Sequence, residues 1–105
     1  MIRFNVEITQ EALNDMEQIF EHIACVLRAP ENAMAQYNRI ADAILTLEYM
    51  PQRFRIMESE PAHSRGMRRV LVDNYSVFYI VQENRVVVTN VLYTPSDIEQ
   101  RLNQP

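Results

Sequence analysis

Three arginines lie close together in the second half of the sequence, at Arg65, Arg68 and Arg69. The guanidinium group is planar, stays charged when partly buried, and donates paired hydrogen bonds to phosphate or carboxylate oxygens. Such a cluster can bind a nucleic-acid phosphate, bind an acidic protein partner, or pair with carboxylates of its own chain. Glu58 and Glu60 precede the cluster and are the candidate partners for the third, structural role.

Strand geometry separates two of these arginines. The segment MRRVLV is rich in apolar and β-branched residues, and successive residues of a strand face opposite sides of a sheet. Arg69 shares its side with Met67 and Leu71, whereas Arg68 shares its side with Val70. At most one of the pair can face a given ligand, and the residues alone leave the structural and the binding interpretations equally open.

Few other side chains could transfer protons or contact bases. His63 lies in an irregular segment two residues before Arg65, where an imidazole could act as a general acid or base. We favour a solvated loop histidine without a catalytic role. Tyr75 and Tyr79 fall on one side of a strand and could stack on bases, but core positions with the hydroxyls at the rim are favoured.

The sequence has no motif for a cofactor, a metal or a serine nucleophile. A single glycine excludes a Gly-rich nucleotide loop, and no spacing of Cys, His and Asp resembles a metal site. No base and orienting group accompany a serine. We therefore expect no cofactor and no metal. The single cysteine, Cys25, cannot form an internal disulfide.

Length and charge narrow the class of protein. The 105 residues, 48% of them apolar, predict a single globular domain over residues 1–105. No run of about 18 apolar residues and no signal peptide is visible, so we expect a cytoplasmic protein without membrane contact. Net charge is −4, which disfavours generic nucleic-acid binding. All ten basic residues are Arg, and the balance is −5 over residues 1–49 but +2 over 50–94.

The first half predicts a strand followed by two helices. Alternation in IRFNVEI places four apolar residues on one side of a strand: Ile2, Phe4, Val6 and Ile8. Thr9 fits a helix N-cap, and apolar residues follow at helical spacing from Leu13 to Leu27. Pro30 can begin a second helix, whose stripe comprises Tyr37, Ile40, Ile44 and Leu47. The short connection predicts an antiparallel helical hairpin.

The second half predicts a surface loop over residues 51–64 and then three strands, MRRVLV, YSVFYIV and RVVVTNVLY. Asp73-Asn74 suits a two-residue hairpin turn because both residues tolerate positive φ. The strands are apolar on both sides, which predicts interior strands with packing on each face. PSDIEQRL predicts a short C-terminal helix capped by Ser96. The fold class is therefore α+β, with a three-stranded antiparallel meander after the hairpin.

This layout resembles the RelE/ParE superfamily of bacterial type II toxins over nearly the whole chain. Four stretches carry the resemblance: the opening VEITQEALNDMEQIFEHIA, Pro51 with Phe54 after the second helix, RRVLVDNYSVFYIV, and VLY followed by DI after the last strand. The resemblance implies a small toxin that a cognate antitoxin neutralises. It further implies a target that is either DNA gyrase or mRNA in the ribosome, and leaves a homodimer open.

The two branches of the superfamily differ at a few positions. Ribonuclease members typically carry Arg after the aromatic that opens the third strand, where this chain has Ser76. Under that alternative the resemblance implies Arg65, Arg69 and Tyr93 as catalytic residues, with His63 a second proton carrier. The aromatic strand VDNYSVFYIV looks more like the ParE branch, although Tyr93 stands where that branch normally has His, and Thr94-Pro95-Ser96 lacks its basic pair.

The resemblance therefore favours a gyrase inhibitor of the ParE type. A ribosome-dependent mRNA endonuclease is the alternative, and a non-toxic, degenerate antitoxin-binding protein is a second alternative. Arg65, Arg68 and Arg69 are the predicted partner-binding residues in either case, since they could accept carboxylates of the antitoxin.

Overall fold

The computed structural model describes residues 2–94, which form a four-stranded sheet with two helices packed on one face. The elements are β1 (Asn5–Ile8), α1 (Gln10–Glu21), α2 (Pro30–Thr46), β2 (Met67–Val72), β3 (Tyr75–Gln82) and β4 (Arg85–Tyr93). The order across the sheet is β1-β4-β3-β2, with β1 parallel to β4 and the other neighbours antiparallel. The predicted α+β class is confirmed. The helix predicted at Ser96 lies outside the described residues.

The first helix begins at the predicted cap and ends in an irregular turn. The hydroxyl of Thr9 accepts a hydrogen bond from the backbone N–H of Ala12 (3.1 Å) and donates to the carbonyl of Val88 (3.0 Å). After α1 the chain continues as one π-helical turn, His22–Val26. The wider turn rotates the following residues away from the apolar stripe. Leu27, predicted on that stripe, is consequently exposed.

The second helix begins at Pro30, as predicted, because the fixed φ of proline suits the first turn and its missing N–H has no partner there. The helices and the sheet bury one common core. From the helical side the core contains Ala12, Met16, Ile40, Ile44 and Leu47; from the sheet it contains Val70, Val77, Tyr79, Val86, Val88 and Val91. The alternation of each strand directs these residues to the helices, and in β4 a β-bulge at Thr89 brings Val91 to the same face as Val86 and Val88.

The first strand is shorter than the sequence predicts. Phe4 and Val6 pack against the core, but Ile2 and Ile8 are exposed. The chain before Asn5 instead runs beside the end of α2, where Arg3 forms an isolated bridge with Tyr49. Only the second half of the alternating segment, Asn5–Ile8, is therefore paired with β4.

The strand β2 is an edge strand, so the expectation that all three meander strands lie inside the sheet is wrong for it. The cause is β1, which pairs with β4 and leaves β3 as the one neighbouring strand of β2 among the described residues. The other edge of β2 makes only an isolated bridge, between Arg68 and Ile56. The face of the sheet opposite the helices is only partly covered, with Leu71 and Leu92 exposed. We call it the outer face and define it as Met67, Arg69, Leu71, Ser76, Phe78, Ile80, Val87 and Leu92.

Candidate functional site

Arg68 is bound to the backbone of its own chain. It lies on the inner side of β2, and its Nη1 donates to the carbonyl oxygens of Gln52 (3.2 Å) and Phe54 (2.5 Å). These carbonyls belong to the segment that crosses from the end of α2 to the free edge of β2. Arg68 therefore fastens this segment to the sheet, and its partners are backbone oxygens rather than carboxylates.

The two glutamates predicted as partners of the arginine cluster contact other side chains. Glu58 pairs with Arg55 at 3.1 Å on the surface. Glu60 accepts a hydrogen bond from Ser64 and lies 3.5 Å from Nδ1 of His63. The structural interpretation in which these carboxylates pair with Arg68 or Arg69 is therefore not observed among residues 2–94, since both glutamates contact side chains of their own loop. His63 is exposed in the loop, in line with the favoured interpretation.

Tyr79 is a core residue as expected, but its hydroxyl is buried rather than at the rim. Its ring is fully buried, and its hydroxyl donates to the carbonyl of Pro51 at 2.7 Å. Burial raises the pKa of Tyr79 to about 12, although the nearby charges of Arg68 and Arg53 oppose the rise. A buried, hydrogen-bonded ring cannot stack on a nucleic-acid base, so Tyr79 has a structural role.

Arg69 is the arginine of the cluster that lies on the outer face. It pairs in register with Phe78 of β3 and is half-buried between apolar neighbours. Within residues 2–94 it takes part in no ion pair, whereas Arg85 at the far side of the sheet pairs with Glu7 at 3.1 Å. On this side of the sheet, Arg69 is thus a positive charge without a carboxylate partner among residues 2–94, within a partly exposed apolar surface, an arrangement suited to an acidic amphipathic ligand.

Ser76 is buried on the same face. It pairs in register with Leu71 of β2 and Leu92 of β4, and its hydroxyl shares a hydrogen bond with that of Thr94. The side chain is fully inaccessible to solvent. A ligand on the outer face would therefore meet Arg69 but not the Ser76 hydroxyl.

The structure does not bring the three predicted catalytic residues together. Tyr93 lies on the inner side of β4 at the end of the sheet, where its ring packs edge-on against Tyr75 with centroids 5.8 Å apart. Arg69 is on the opposite face, and Arg65 is exposed in the turn before β2, at the other end of the strand. Because a sheet separates Tyr93 from Arg69, their side chains cannot reach one phosphate in this conformation.

A surface groove that the sequence analysis did not identify lies at the end of α2. It has a volume of about 540 Å³ and is lined by Leu45, Thr46, Tyr49, Met50 and Arg53. The signal in the sequence is that Leu45 is apolar but falls beside the stripe formed by Ile40, Ile44 and Leu47. An apolar residue outside the stripe of an amphipathic helix is exposed unless another segment covers it.

Two further kinds of site are not found in the described part of the chain. Among residues 2–94, no group of three or more His, Cys, Asp or Glu side chains is placed to hold a metal ion. Over the same residues no helix has the length and apolar composition needed to cross a membrane.

Comparison with known families identifies the class of protein. The family model for the ParE toxin of the type II toxin–antitoxin system parDE matches residues 6–97. The chain belongs to the ParE toxin family. No curated protein matches its sequence at a significant level.

Solved structures share the fold of this ParE-family chain. The chromosomal ParDE toxin–antitoxin system of P. aeruginosa matches with a TM-score of 0.75 and 18% identity, over 89% of this chain and 98% of that chain. The RelBE2 toxin–antitoxin complex of Mycobacterium tuberculosis has a TM-score of 0.63 and 18% identity, over 88% and 99%. The archaeal RelE–RelB complex of Pyrococcus horikoshii has a TM-score of 0.59 and 16% identity, over 90% and 99%.

Proposed function

We propose that this ParE-family chain is the toxin that arrests bacterial growth and that it acts by inhibiting DNA gyrase. The surroundings of Ser76 are the observation that favours gyrase over messenger RNA as the target. Attack of a 2′-hydroxyl on a phosphate needs a base, an acid and positive charge within reach of one phosphate. At the position where the ribonuclease branch typically carries Arg, Ser76 is buried and bonded to Thr94. It offers a phosphate neither a charge nor an accessible donor.

A ribosome-dependent endonuclease with Arg65, Arg69 and Tyr93 as catalytic residues is the second candidate. The partly exposed Arg69 on the outer face favours it, because that side chain is a suitable phosphate ligand. The separation of Tyr93 from Arg69 by the sheet disfavours it. The Arg that ribonuclease members typically carry at the position of Ser76 would be a charged donor to the phosphate. Loss of such a donor typically lowers the rate by about 10²–10³.

We propose a cognate antitoxin as the protein partner. The matching structures from P. aeruginosa, M. tuberculosis and P. horikoshii are toxin–antitoxin systems or complexes. The outer face supports this partner, because an apolar surface around Arg69 fits a segment that carries apolar side chains and a carboxylate. Arg65 is exposed in the turn just before β2 and could form an ion pair with a second carboxylate of the antitoxin. Arg68 contributes indirectly, by holding the edge of the sheet in place.

One preparation of the purified chain tests the choice of target. We expect it to inhibit negative supercoiling of a relaxed plasmid by gyrase and to leave a translated message intact in a cell-free extract. Supercoiling is followed on agarose gels, and cleavage is followed by primer extension on the message.

The variants Arg69→Ala and Tyr93→Phe distinguish the outcomes. Strong cleavage at codons in the ribosomal A site, lost in either variant, would overturn gyrase in favour of the endonuclease. Folded protein that neither inhibits supercoiling nor cleaves mRNA, and that does not arrest growth on expression, would instead support a non-toxic protein that retains antitoxin binding.

A further inference from the structure

Several of the apolar side chains that line the groove at the end of α2 are exposed to solvent. Leu45 is 62% exposed, Met50 61% and Tyr49 42%, and all three line it. Single exposed apolar residues are ordinary on protein surfaces, but several that line one groove mark an interaction surface. The groove lies beside the start of the chain, because Arg3 stacks over the ring of Tyr49 at 5.8 Å from its centroid.

The backbone holds Met50 in a conformation that a residue with a Cβ rarely adopts. Its φ and ψ are 49° and 53°, in the left-handed region that favours glycine. Arg53 fixes this turn, since its Nη1 donates to the carbonyls of Tyr49 (2.5 Å) and Met50 (3.1 Å). A glycine would fit the turn without strain but would remove an apolar side chain from the groove.

The positive charge of Arg53 is not neutralised by a carboxylate of the described chain. Its hydrogen bonds go to neutral groups, including the hydroxyl of Thr46 at 3.3 Å. Glu48, the acidic residue next to the groove in sequence, pairs instead with Arg3 at 2.7 Å. Within residues 2–94 no ion pair includes Arg53. The guanidinium of Arg53 also lies over the ring of Phe54, 4.6 Å from its centroid. The groove therefore combines apolar walls with a guanidinium that has no carboxylate partner among residues 2–94.

We propose that this groove binds an acidic, amphipathic segment of the cognate antitoxin, at a place separate from the outer face of the sheet. The inference rests on the proposed function, because it takes the antitoxin as the partner. Apolar side chains of the segment cover Leu45, Tyr49 and Met50, and a carboxylate neutralises Arg53. A flexible segment can reach both this groove and the outer face, since disordered segments wrap large surfaces on folding.

Two matched pairs of variants test the groove, with the proposed cognate antitoxin as the probe. Leu45→Glu places a charge on the apolar wall, and Met34→Glu makes the same kind of change on α2 at a residue that is 52% exposed and outside the groove lining. Arg53→Gln removes the charge, and Arg55→Gln removes an exposed one beyond the groove. Affinity is measured by isothermal titration calorimetry at two salt concentrations, after thermal melts show that each variant is folded.

We expect Leu45→Glu to weaken antitoxin binding at least tenfold, against less than twofold for Met34→Glu. Arg53→Gln reduces both the affinity and its salt dependence, whereas Arg55→Gln changes neither. If wild type and Leu45→Glu bind the antitoxin with equal affinity, the groove is not an antitoxin-binding site, and the proposed function remains intact. Absence of binding by the wild type would overturn both. A dimer of the isolated chain that Leu45→Glu dissociates, with antitoxin affinity unchanged, would assign the groove to a second copy.

Discussion

Arg68 and Arg69 are neighbours in the sequence but have different surroundings in the structure. Arg68 lies on the inner side of the sheet edge and satisfies backbone carbonyls, whereas Arg69 lies on the outer face beside Phe78. An arginine bonded to its own backbone supports the fold, and one without a carboxylate partner on an apolar surface is available to a ligand. The same residue type therefore has two different environments at adjacent positions.

At the scale of single residues, the substitution Arg69→Ala tests binding of the antitoxin separately from folding. We expect Arg69→Ala to weaken binding of the antitoxin by about 2–3 kcal/mol, because a charge pair on an apolar face is desolvated when the partner covers it. Arg55→Ala is the control, since Arg55 is exposed and pairs only with Glu58 among the described residues. Calorimetry measures both affinities. An unchanged affinity for Arg69→Ala would show that the antitoxin does not use this arginine.

The hairpins adopt positive φ without glycine. Asp73 opens the β2–β3 turn with φ of 57°, and Glu83 opens the β3–β4 turn with φ of 55°. Asp tolerates this conformation better than Glu, because its short side chain can hydrogen-bond locally. The strand register is set at these turns, so the chain retains strain at Glu83 to keep β3 and β4 aligned.

Glycine scanning of the β3–β4 turn tests this strain. We expect Glu83→Gly to raise the free energy of unfolding by about 0.5–1 kcal/mol, because relief of the left-handed strain exceeds the added entropy of the unfolded chain. Gln82→Gly, one residue earlier in regular strand, should lower it by a similar amount. Urea unfolding followed by circular dichroism measures both. A loss of stability in Glu83→Gly equal to that in Gln82→Gly would contradict the assignment of strain.

At the scale of the whole molecule, Asp73 links the helical layer to the sheet. Its Oδ2 accepts hydrogen bonds from Nε of Arg39 (2.7 Å) and Nε2 of Gln36 (2.9 Å), both on α2. Both hydrogen bonds lower the pKa of the Asp73 carboxyl, and the one from Arg39 has the larger effect. On the other side of the turn, the carbonyl of Asn74 accepts from the backbone N–H of Thr94. The β2–β3 turn is thus held by α2 and by the end of β4.

The lowered pKa predicts how stability changes with pH. Because the folded-state pKa of Asp73 lies below its unfolded value of about 3.9, its contribution is present above that value and is lost as pH falls through the folded pKa. We expect Asp73→Asn to unfold at lower urea than wild type at pH 7, and this difference to shrink below pH 4. Asp42→Asn, at an exposed position of α2, is the control. A difference that stays constant from pH 7 to pH 2.5 would exclude the ionised carboxylate as its source.

Local patterns in the sequence determined the elements and much of their orientation. The cap at Thr9, the start of α2 at Pro30 and the turn at Asp73 are where the sequence predicts them, because each depends on the conformational preferences of a few adjacent residues. Strand alternation likewise assigned Arg68 and Arg69 to opposite faces, since the period of two is a property of the strand itself.

Tertiary structure decided which neighbours these residues meet. The pairing of β1 with β4 made β2 an edge, and the crossing of residues 51–54 beside that edge gave Arg68 backbone carbonyls as partners. The π-helical turn after α1 exposed Leu27, and the left-handed conformation of Met50 at the end of α2 shaped the groove that Leu45, Tyr49 and Arg53 also line. The pairing of β1 with β4 and the partners of Arg68 result from contacts between segments distant in sequence, whereas the π-helical turn and the groove are formed by neighbouring residues in conformations that periodicity does not show. Periodicity and propensity report only on neighbouring residues, so the sequence could name the arginines of the candidate site but not their partners.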